Sequence, residues 1–280
     1  MLTDETASGR SGDGYFVSDA DRRKFKELGF ITLEKVLTEE EVQEIETIYN
    51  KFIRGEITGM RRDLCDMSAS YDTPFEKFSL INAMLPREYY PALKGNIFEK
   101  LSHDISRQLI GDGIGLDYDQ FLSKKPGCPT AAFSVHQDMG YWPAHTPNTR
   151  TATVSLAVTD ATSENGCIEF LPGSQLPPKL WPHKPKFKSG TEEAVRDKGH
   201  TLVLDMDENA ETVLQPVKRG DVTVHDEWIV HGSGGNPSSN WRKTYVIAYR
   251  SLETIAYERS IGFTHSHNDV VNWKTLLDLN

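Results

Sequence analysis

Cysteine is scarce in this chain of 280 residues, and the three that occur form no CxxC pair. Cys65, Cys128 and Cys167 are odd in number and widely spaced, which argues against a disulfide framework and is typical of reduced thiols. None of them has the spacing of a metal-binding cysteine. We therefore expect a cytoplasmic protein that is stabilised by an apolar core.

Long apolar runs and an excess of basic residues are also missing. No stretch approaches the roughly 18 apolar residues that a membrane-spanning helix requires, and residues 1–17 carry acids and glycines where a secretory signal has an apolar core. The formal net charge of −10 disfavours a protein built to bind nucleic acid or an anionic membrane. With 38% hydrophobic and 26% charged residues, the composition is that of an ordinary globular protein.

The N-terminal part of the chain is predicted to be mainly helical. Residues 1–17 are polar and rich in glycine, and we interpret them as a flexible tail. Helices are predicted over residues 18–29, from Thr38 onward, where Thr38 and Glu41 have capping-box spacing, and between residues 89 and 110. The apolar stripes of the second and third helices are Val42, Ile45, Ile48 and Phe52, and Ile97, Leu101, Ile105 and Leu109.

Short strand-like runs separated by glycine, proline, asparagine and serine replace this pattern from about residue 116 onward. Many short strands with turn signals between them indicate a β-sandwich or barrel. We predict a mainly β protein with flanking helices, in which one domain covers residues 18–280. Helices at about 18–111 would support a β core at about 116–260, as in jelly rolls and cupins.

The segment FSVHQDMGYWP, residues 133–143, contains a histidine and an aspartate two positions apart in an apolar, aromatic run. Alternate side chains of a strand point to the same face, so His136 and Asp138 would share one space while Gln137 faces away. A metal ion would compensate for burial of the carboxylate. His231, which ends an apolar run before a glycine-rich turn, is the best third ligand. Two histidines and one carboxylate form the facial triad that suits non-haem Fe(II).

Four blocks of sequence, taken in order, resemble the phytanoyl-CoA dioxygenase (PhyH) family of Fe(II)/2-oxoglutarate-dependent oxygenases. The blocks are FKELGFITLEKVLTEEEVQEI, HQD, DATSENGCIEFLPGSQ and RGDVTVHDEWIVHGSGGNPSSNWRKTYVIAYR, and they span most of residues 20–250. An HxD pair alone recurs by chance, whereas the ordered set is specific. The resemblance implies a double-stranded β-helix of the jelly-roll type, bound Fe(II), and 2-oxoglutarate and O2 as co-substrates.

The resemblance also assigns roles to individual residues. His136, Asp138 and His231 match the metal ligands of the family. Arg242, eleven residues after His231, matches the arginine that binds the distal carboxylate of 2-oxoglutarate, and a guanidinium fork suits that contact. Ser233 matches a hydroxyl that often assists it. Because relatives that halogenate have a small residue in place of the aspartate, the presence of Asp138 favours hydroxylation-type chemistry.

Further candidates for cofactor or substrate contacts lie near these residues. Gln120 and Lys124 alternate along the strand before HQD, so they should face inward with it. Trp142 matches an aromatic residue near the cofactor of related hydroxylases, although plain packing would explain it nearly as well. Three polar side chains share one face of a further predicted strand and could contact the co-substrate or be ordinary strand residues: Thr151, Thr153 and Ser155.

The other histidines are interpreted as structural. His225 is assigned to packing, with a role beside the metal ligands as the alternative. His265 and His267 lie beyond the matched blocks, so we do not expect them to bind metal, but they could cover the mouth of the site. His103 lies off the apolar stripe of its helix and should be on the surface. Three more histidines fall in loops and are expected to be solvated: His145, His183 and His200.

The predicted function is oxidation of a small organic molecule by hydroxylation, desaturation or oxidative ring closure, in small-molecule metabolism. Residues 176–219 are expected to contain part of a substrate lid. Four lysines in this segment could attract a carboxylate-bearing substrate, although a solvated loop explains them as well: Lys179, Lys184, Lys186 and Lys188.

Two alternatives stay open. One is a metalloenzyme on the same fold that does not use 2-oxoglutarate, which would not need Arg242. The other is a non-catalytic β-barrel binding protein, which loss of a metal ligand would mark. The oligomeric state is not predicted.

Overall fold

The computed structural model describes residues 7–143, 146–185, 201–204, 206 and 210–269. Its strands are β1 (Gly9–Ser11), β2 (Gly14–Phe16), β3 (Phe30–Leu33), β4 (Leu64–Asp66), β5 (Leu80–Met84), β6 (Ile114–Lys124), β7 (Phe133–His136), β8 (Thr151–Ala157), β9 (Ile168–Phe170), β10 (His183–Pro185), β11 (Leu202–Leu204), β12 (Val213–Gln215), β13 (Val222–His225), β14 (His231–Ser233) and β15 (Arg242–Ser251). Its α-helices are α1 (Asp19–Leu28), α2 (Glu39–Ile53), α3 (Pro86–Tyr89), α4 (Ile97–Ile110) and α5 (Leu252–Ser260). Short 3₁₀ turns occur at Arg61–Asp63, Phe75–Lys77, Pro91–Leu93 and Asp138–Tyr141.

Two antiparallel sheets form the centre of the molecule. The larger sheet has seven strands in the order β3-β13-β8-β15-β6-β5-β4, and the smaller has four in the order β12-β9-β14-β7. Residues from both sheets line the cleft between them, which is the two-layered arrangement of a jelly roll. β3 and β4 are the edge strands of the larger sheet and β5 lies next to β4, so the stretch assigned to helical support also contributes strands.

The three predicted N-terminal helices are present as α1, α2 and α4. The Ser18 side chain caps α1, and Gly29 ends it at a φ of 83°, which glycine adopts without strain. Thr38 and Glu41 form the predicted capping box of α2. α4 begins later than predicted because Asn96 is its N-cap. None of the helices in the described part of the chain is long and apolar enough to cross a membrane.

A hairpin of β1 and β2 occupies part of the stretch that was expected to be a flexible tail. Tyr15 and Val17 are buried in the main core. Asp104 and Gln108 of α4 accept hydrogen bonds from the backbone amides of these two residues, each at 2.9 Å. The prediction of a flexible tail was wrong for residues 7–17. This polar segment contains two buried apolar residues, and the side chains that bind their backbone amides lie 89 and 91 positions further along the chain.

β15 shows how the larger sheet separates core from cleft. Alternate side chains of a strand point to opposite faces. One face packs with the helices in the main core and carries Tyr245, Ile247 and Tyr249. The other face lines the cleft and carries Arg242, Thr244 and Val246. The polar side chains of the strand are thereby held on a rigid wall opposite the smaller sheet.

Candidate active site

The three predicted metal ligands converge between the two sheets. His136 ends β7, His231 begins β14, and these two residues are direct partners in the antiparallel register. Their Nε2 atoms lie 3.6 and 3.5 Å from the same carboxylate oxygen, Oδ1 of Asp138. One ligand atom from each residue falls within 4.8 Å of the other two. The three side chains can therefore share one ion.

Backbone carbonyls set the orientation of both imidazoles. His136 Nδ1 lies 2.7 Å from the carbonyl oxygen of Ser134, and His231 Nδ1 lies 3.1 Å from that of Ile229. Because a carbonyl can only accept, each Nδ1 carries the proton and each Nε2 lone pair is left for the centre of the site. Burial lowers the pKa of His231 to about 3, so this ligand is neutral at physiological pH.

Asp138 is held at its second oxygen by a residue that was not predicted to act there. His225 Nε2 donates to Asp138 Oδ2 at 3.2 Å. Burial opposes ionisation of Asp138, but the surrounding histidines His231, His136 and His225 outweigh it and hold the Asp138 pKa well below its usual range. The assignment of His225 to packing was wrong, and the alternative beside the metal ligands is what the structure has. Two imidazoles and a carboxylate are the ligand set that suits Fe(II).

Arg242 lies at another part of the cleft and has no ionic partner among the described residues. It is 6% exposed, and it forms no ion pair with any carboxylate in the described ranges. Its Nε has no hydrogen-bond partner there, and burial lowers its pKa. An unpaired buried guanidinium is costly. The position therefore favours an anionic ligand.

Lys124 adds a second buried basic side chain beside Arg242, its partner in the β6–β15 register. Its Nζ donates to Ser233 Oγ at 2.6 Å and to the carbonyl oxygens of Gly166 and Gly234. Burial and the neighbouring Arg242 together lower the Lys124 pKa to about 6. Ser233 lines the cleft whereas Lys124 does not, so the lysine acts on the cleft through the serine.

The other candidates divide between cleft and scaffold. Gln120, Thr153 and Trp142 line the cleft. Thr151 does not, and its hydroxyl donates instead to a backbone carbonyl of β15. Trp142 is buried, and its ring centroid lies 4.1 Å from the guanidinium carbon of Arg250.

The cleft between the two sheets is partly open to solvent, and its lining combines a few polar and charged groups with apolar and aromatic side chains, as small-molecule sites do. Five aromatic side chains belong to its wall: Tyr118, Phe133, Tyr141, Trp142 and Phe263. Arg242 is the single arginine or lysine in the lining, as far as the structure describes it. Lys179 and Lys184 are exposed and do not line the cleft.

His183 is not the solvated loop residue that was predicted. Its Nε2 accepts a hydrogen bond from the backbone amide of Gln137 at 3.0 Å, and burial lowers its pKa to about 4. The Gln137 side chain, expected only to face away, is fully buried and donates to the carbonyl oxygens of Lys179 and Trp228. It also accepts from the Trp181 amide at 2.7 Å. The residue between two metal ligands thus holds the segment that starts the expected lid.

The remaining histidines have mixed outcomes. His103 is exposed, as predicted. His265 and His267 are buried and line the cleft. Several predicted loop residues lie outside the described residues: His145, Lys186, Lys188 and His200.

Comparison with known proteins identifies the family. The family model described as phytanoyl-CoA dioxygenase (PhyH) matches residues 25–244. The chain belongs to the PhyH family. Human peroxisomal phytanoyl-CoA dioxygenase is 24% identical over 239 residues, which cover 83% of this chain and 68% of the human protein.

Solved structures share the fold. EvdO2 from Micromonospora carbonacea var. aurantiaca, complexed with 2-oxoglutarate, is 21% identical with a TM-score of 0.67, covering 88% of this chain and 93% of that one. EctD from S. alaskensis with bound Fe is 18% identical with a TM-score of 0.64, covering 90% and 83%. This PhyH-family chain is an iron- and 2-oxoglutarate-dependent dioxygenase with a jelly-roll fold.

Proposed function

We propose that this PhyH-family enzyme oxidises a small organic molecule, with His136, Asp138 and His231 as the ligands of Fe(II) and Arg242 as the binding site for the distal carboxylate of 2-oxoglutarate. The observation that carries the proposal is a buried arginine, with no ionic partner in the described part of the chain, in the same cleft as three converging metal ligands. When bound, the iron supplies the oxidation of a C–H bond, coupled to conversion of 2-oxoglutarate to succinate and CO2.

Neighbouring groups of the chain orient the three metal ligands. Carbonyl acceptors hold the lone pairs of His136 and His231 toward one point. His225 fixes the outer oxygen of Asp138, which leaves the inner oxygen for the metal. These contacts set the ligands before iron arrives, so little reorganisation is needed on binding.

Ser233 and Lys124 would assist Arg242. Lys124 Nζ donates to Ser233 Oγ, so the hydroxyl proton of the serine is available to the co-substrate carboxylate. The buried guanidinium of Arg242, which has no acidic partner among the described residues, also matches the charge of that carboxylate. Gln120 and Thr153 offer polar contacts to co-substrate or substrate, and Trp142 would help to exclude water.

The proposed reaction is hydroxylation, desaturation or oxidative ring closure. We also propose that the substrate carries a carboxylate, although Lys179 and Lys184 of the lid segment are exposed and do not bind it in the cleft. A cytoplasmic location is also proposed and agrees with three free cysteines. A metal-binding protein that does not use 2-oxoglutarate, the alternative raised by the sequence, would leave the buried Arg242 without a role.

An anaerobic titration tests the proposal. Fe(II) and then 2-oxoglutarate are added to the enzyme while the visible metal-to-ligand charge-transfer band is followed, and succinate release is measured with a panel of small molecules. We expect the band at one equivalent of iron and its loss in Asp138→Ala. Asp112→Ala, which alters a side chain that is 85% exposed, is the matched control and should behave as wild type. A fully active Asp138→Ala enzyme would contradict the triad.

A further inference from the structure

A group of buried charged side chains lies behind the aromatic wall of the cleft. It joins β6, β15, α5 and the segment after α5. Arg250 Nη1 lies 3.2 Å from Asp117 Oδ2 and 2.6 Å from Glu258 Oε1, and all three side chains are fully buried. Arg259 Nη2 contacts the other oxygen of Asp117 at 2.5 Å. One further residue, His265, connects this group to the cleft.

His265 is held firmly by the charged group. Its Nε2 lies 2.8 Å from Asp117 Oδ2 and 3.5 Å from Glu258 Oε2. Its backbone φ is 68°, in the left-handed region that a non-glycine residue rarely adopts. Such strain tends to persist where a side chain must be placed for function. The ring of His265 lines the cleft, and its Nδ1 makes no hydrogen bond to a described group.

The histidine and its two acidic neighbours do not form a second metal site. The ligand atoms of Asp117, Glu258 and His265 lie close enough to hold an ion. However, Arg250 and Arg259 already donate to the same carboxylates. A further divalent cation would add positive charge to acids that are already neutralised.

The charges of the group leave a positive excess. Asp117 and Glu258 face three bases, namely Arg250, Arg259 and His265. The third acid nearby, Glu227, lies 3.9 Å from Arg250, and neither of its carboxyl oxygens has a hydrogen-bond partner in the part of the chain that is described. Burial raises the Glu227 pKa well above its usual range, which favours the neutral form of this group.

His265 places this excess positive charge at the surface of the cleft. Burial alone would lower the His265 pKa, but the neighbouring Asp117 outweighs burial and raises it. Three aromatic rings surround the imidazole, with centroids at 4.4 Å for Tyr118, 4.6 Å for Phe263 and 5.9 Å for Trp142. Aromatic faces stabilise a cation, and they give an apolar body a surface to contact.

We propose that His265 determines substrate specificity by donating from Nδ1–H to an anionic oxygen group, such as a carboxylate, on a substrate with an apolar or aromatic body. The inference rests on the proposed function, because it concerns the substrate of the same cleft. In this proposal the partner of the substrate carboxylate is the buried His265 and not one of the lysines of residues 176–219. Asp117 is a positioning residue in this scheme, since it acts by holding His265.

Probe binding tests the proposal. Enzyme loaded with Zn(II) in place of Fe(II) and saturated with 2-oxoglutarate, which occupies Arg242, is titrated calorimetrically with phenylacetate and with its neutral analogue phenylacetamide. We expect wild type to bind the acid about tenfold more tightly than the amide. His265→Asn should abolish this preference and is compatible with the fold, because asparagine tolerates a positive φ. His267→Asn is the matched control and should retain the preference, since burial lowers the His267 pKa to about 4 and that ring is neutral.

A second measurement does not depend on the shape of the probe. The ¹⁵N spectrum of histidine-labelled enzyme should contain the signal of a histidine that is protonated on both ring nitrogens at neutral pH, shifts with phenylacetate and vanishes in His265→Asn. A neutral His265, an unchanged preference in His265→Asn, or no acid preference in wild type would each overturn the proposal. Failure of 2-oxoglutarate to bind would instead overturn the proposed function, so the two failures are distinguishable.

Discussion

Replacing Arg242 with methionine should weaken co-substrate binding and at the same time stabilise the protein without co-substrate. Both effects follow from one feature, a guanidinium that is 6% exposed and lacks an ionic partner among the described residues. Without an anion, its burial is an uncompensated cost that methionine removes while keeping much of the packing volume. With 2-oxoglutarate bound, the same group gains a bidentate partner.

The magnitudes can be worked out for each state. A buried, charge-assisted carboxylate contact contributes about 3 kcal/mol, so Arg242→Met should raise the Kd for 2-oxoglutarate about 100-fold. Removal of the unpaired charge should stabilise the co-substrate-free protein by about 1–2 kcal/mol, which corresponds to a rise in Tm of about 2–6 °C. 2-Oxoglutarate at about 100 times the wild-type Kd should stabilise wild type by about 2.7 kcal/mol and the variant much less.

The assay is thermal unfolding with and without 2-oxoglutarate, together with direct binding by calorimetry. Lys243→Met is the matched control. Lys243 is the next residue of β15 but faces the other side, where its Nζ donates to Glu46 at 2.7 Å and Asn50 at 2.9 Å. This control should lose stability and keep its co-substrate affinity. Wild-type affinity in Arg242→Met would refute the co-substrate assignment, and a fall in its Tm would refute the electrostatic argument.

Three other changes test separate contacts. His225→Leu removes the donor to Asp138 and should weaken Fe(II) binding about 10–100-fold in chelator competition, whereas unchanged affinity would leave that donor without a role. Burial raises the Asp119 pKa to about 7, so the folded state keeps a proton that the unfolded state releases near pH 4, and stability should fall by roughly 4 kcal/mol as pH rises across that window. Asp119→Asn should lose this slope in urea unfolding, and an identical slope would disprove the cause. Gln137→Ala leaves two carbonyls and one amide of other segments without partners, so it should cost about 2–4 kcal/mol and speed tryptic cleavage within residues 179–183, an effect that equal cleavage rates would exclude.

The sequence predicts most of what depends on local pattern. α2 was predictable because Thr38 and Glu41 cap it through contacts three residues apart. His136 and Asp138 were paired on the expectation of strand alternation; in the structure the strand ends at His136 and Asp138 begins a 3₁₀ turn, but the two side chains still meet. His231 and Arg242 were found through an ordered family pattern rather than through spacing alone.

Contacts between residues that lie far apart in the sequence could not be predicted from such local patterns. The hairpin at the N-terminus depends on two side chains of α4. His225 was interpreted as packing because nothing near it in the sequence shows that β13 brings it to Asp138. The role of His265 needs an acid on β6, 148 residues away, and a φ that no local sequence signal indicates.

The central claim is that two neighbouring residues and one distant histidine hold a single iron beside a carboxylate-binding arginine. Diffraction at the iron absorption edge, from crystals grown anaerobically with Fe(II) and 2-oxoglutarate, tests it most directly. We predict one anomalous peak at about 2.0–2.2 Å from His136 Nε2, Asp138 Oδ1 and His231 Nε2, with the distal carboxylate of 2-oxoglutarate on Arg242. A peak at Asp117 and His265, or 2-oxoglutarate bound away from Arg242, would contradict it.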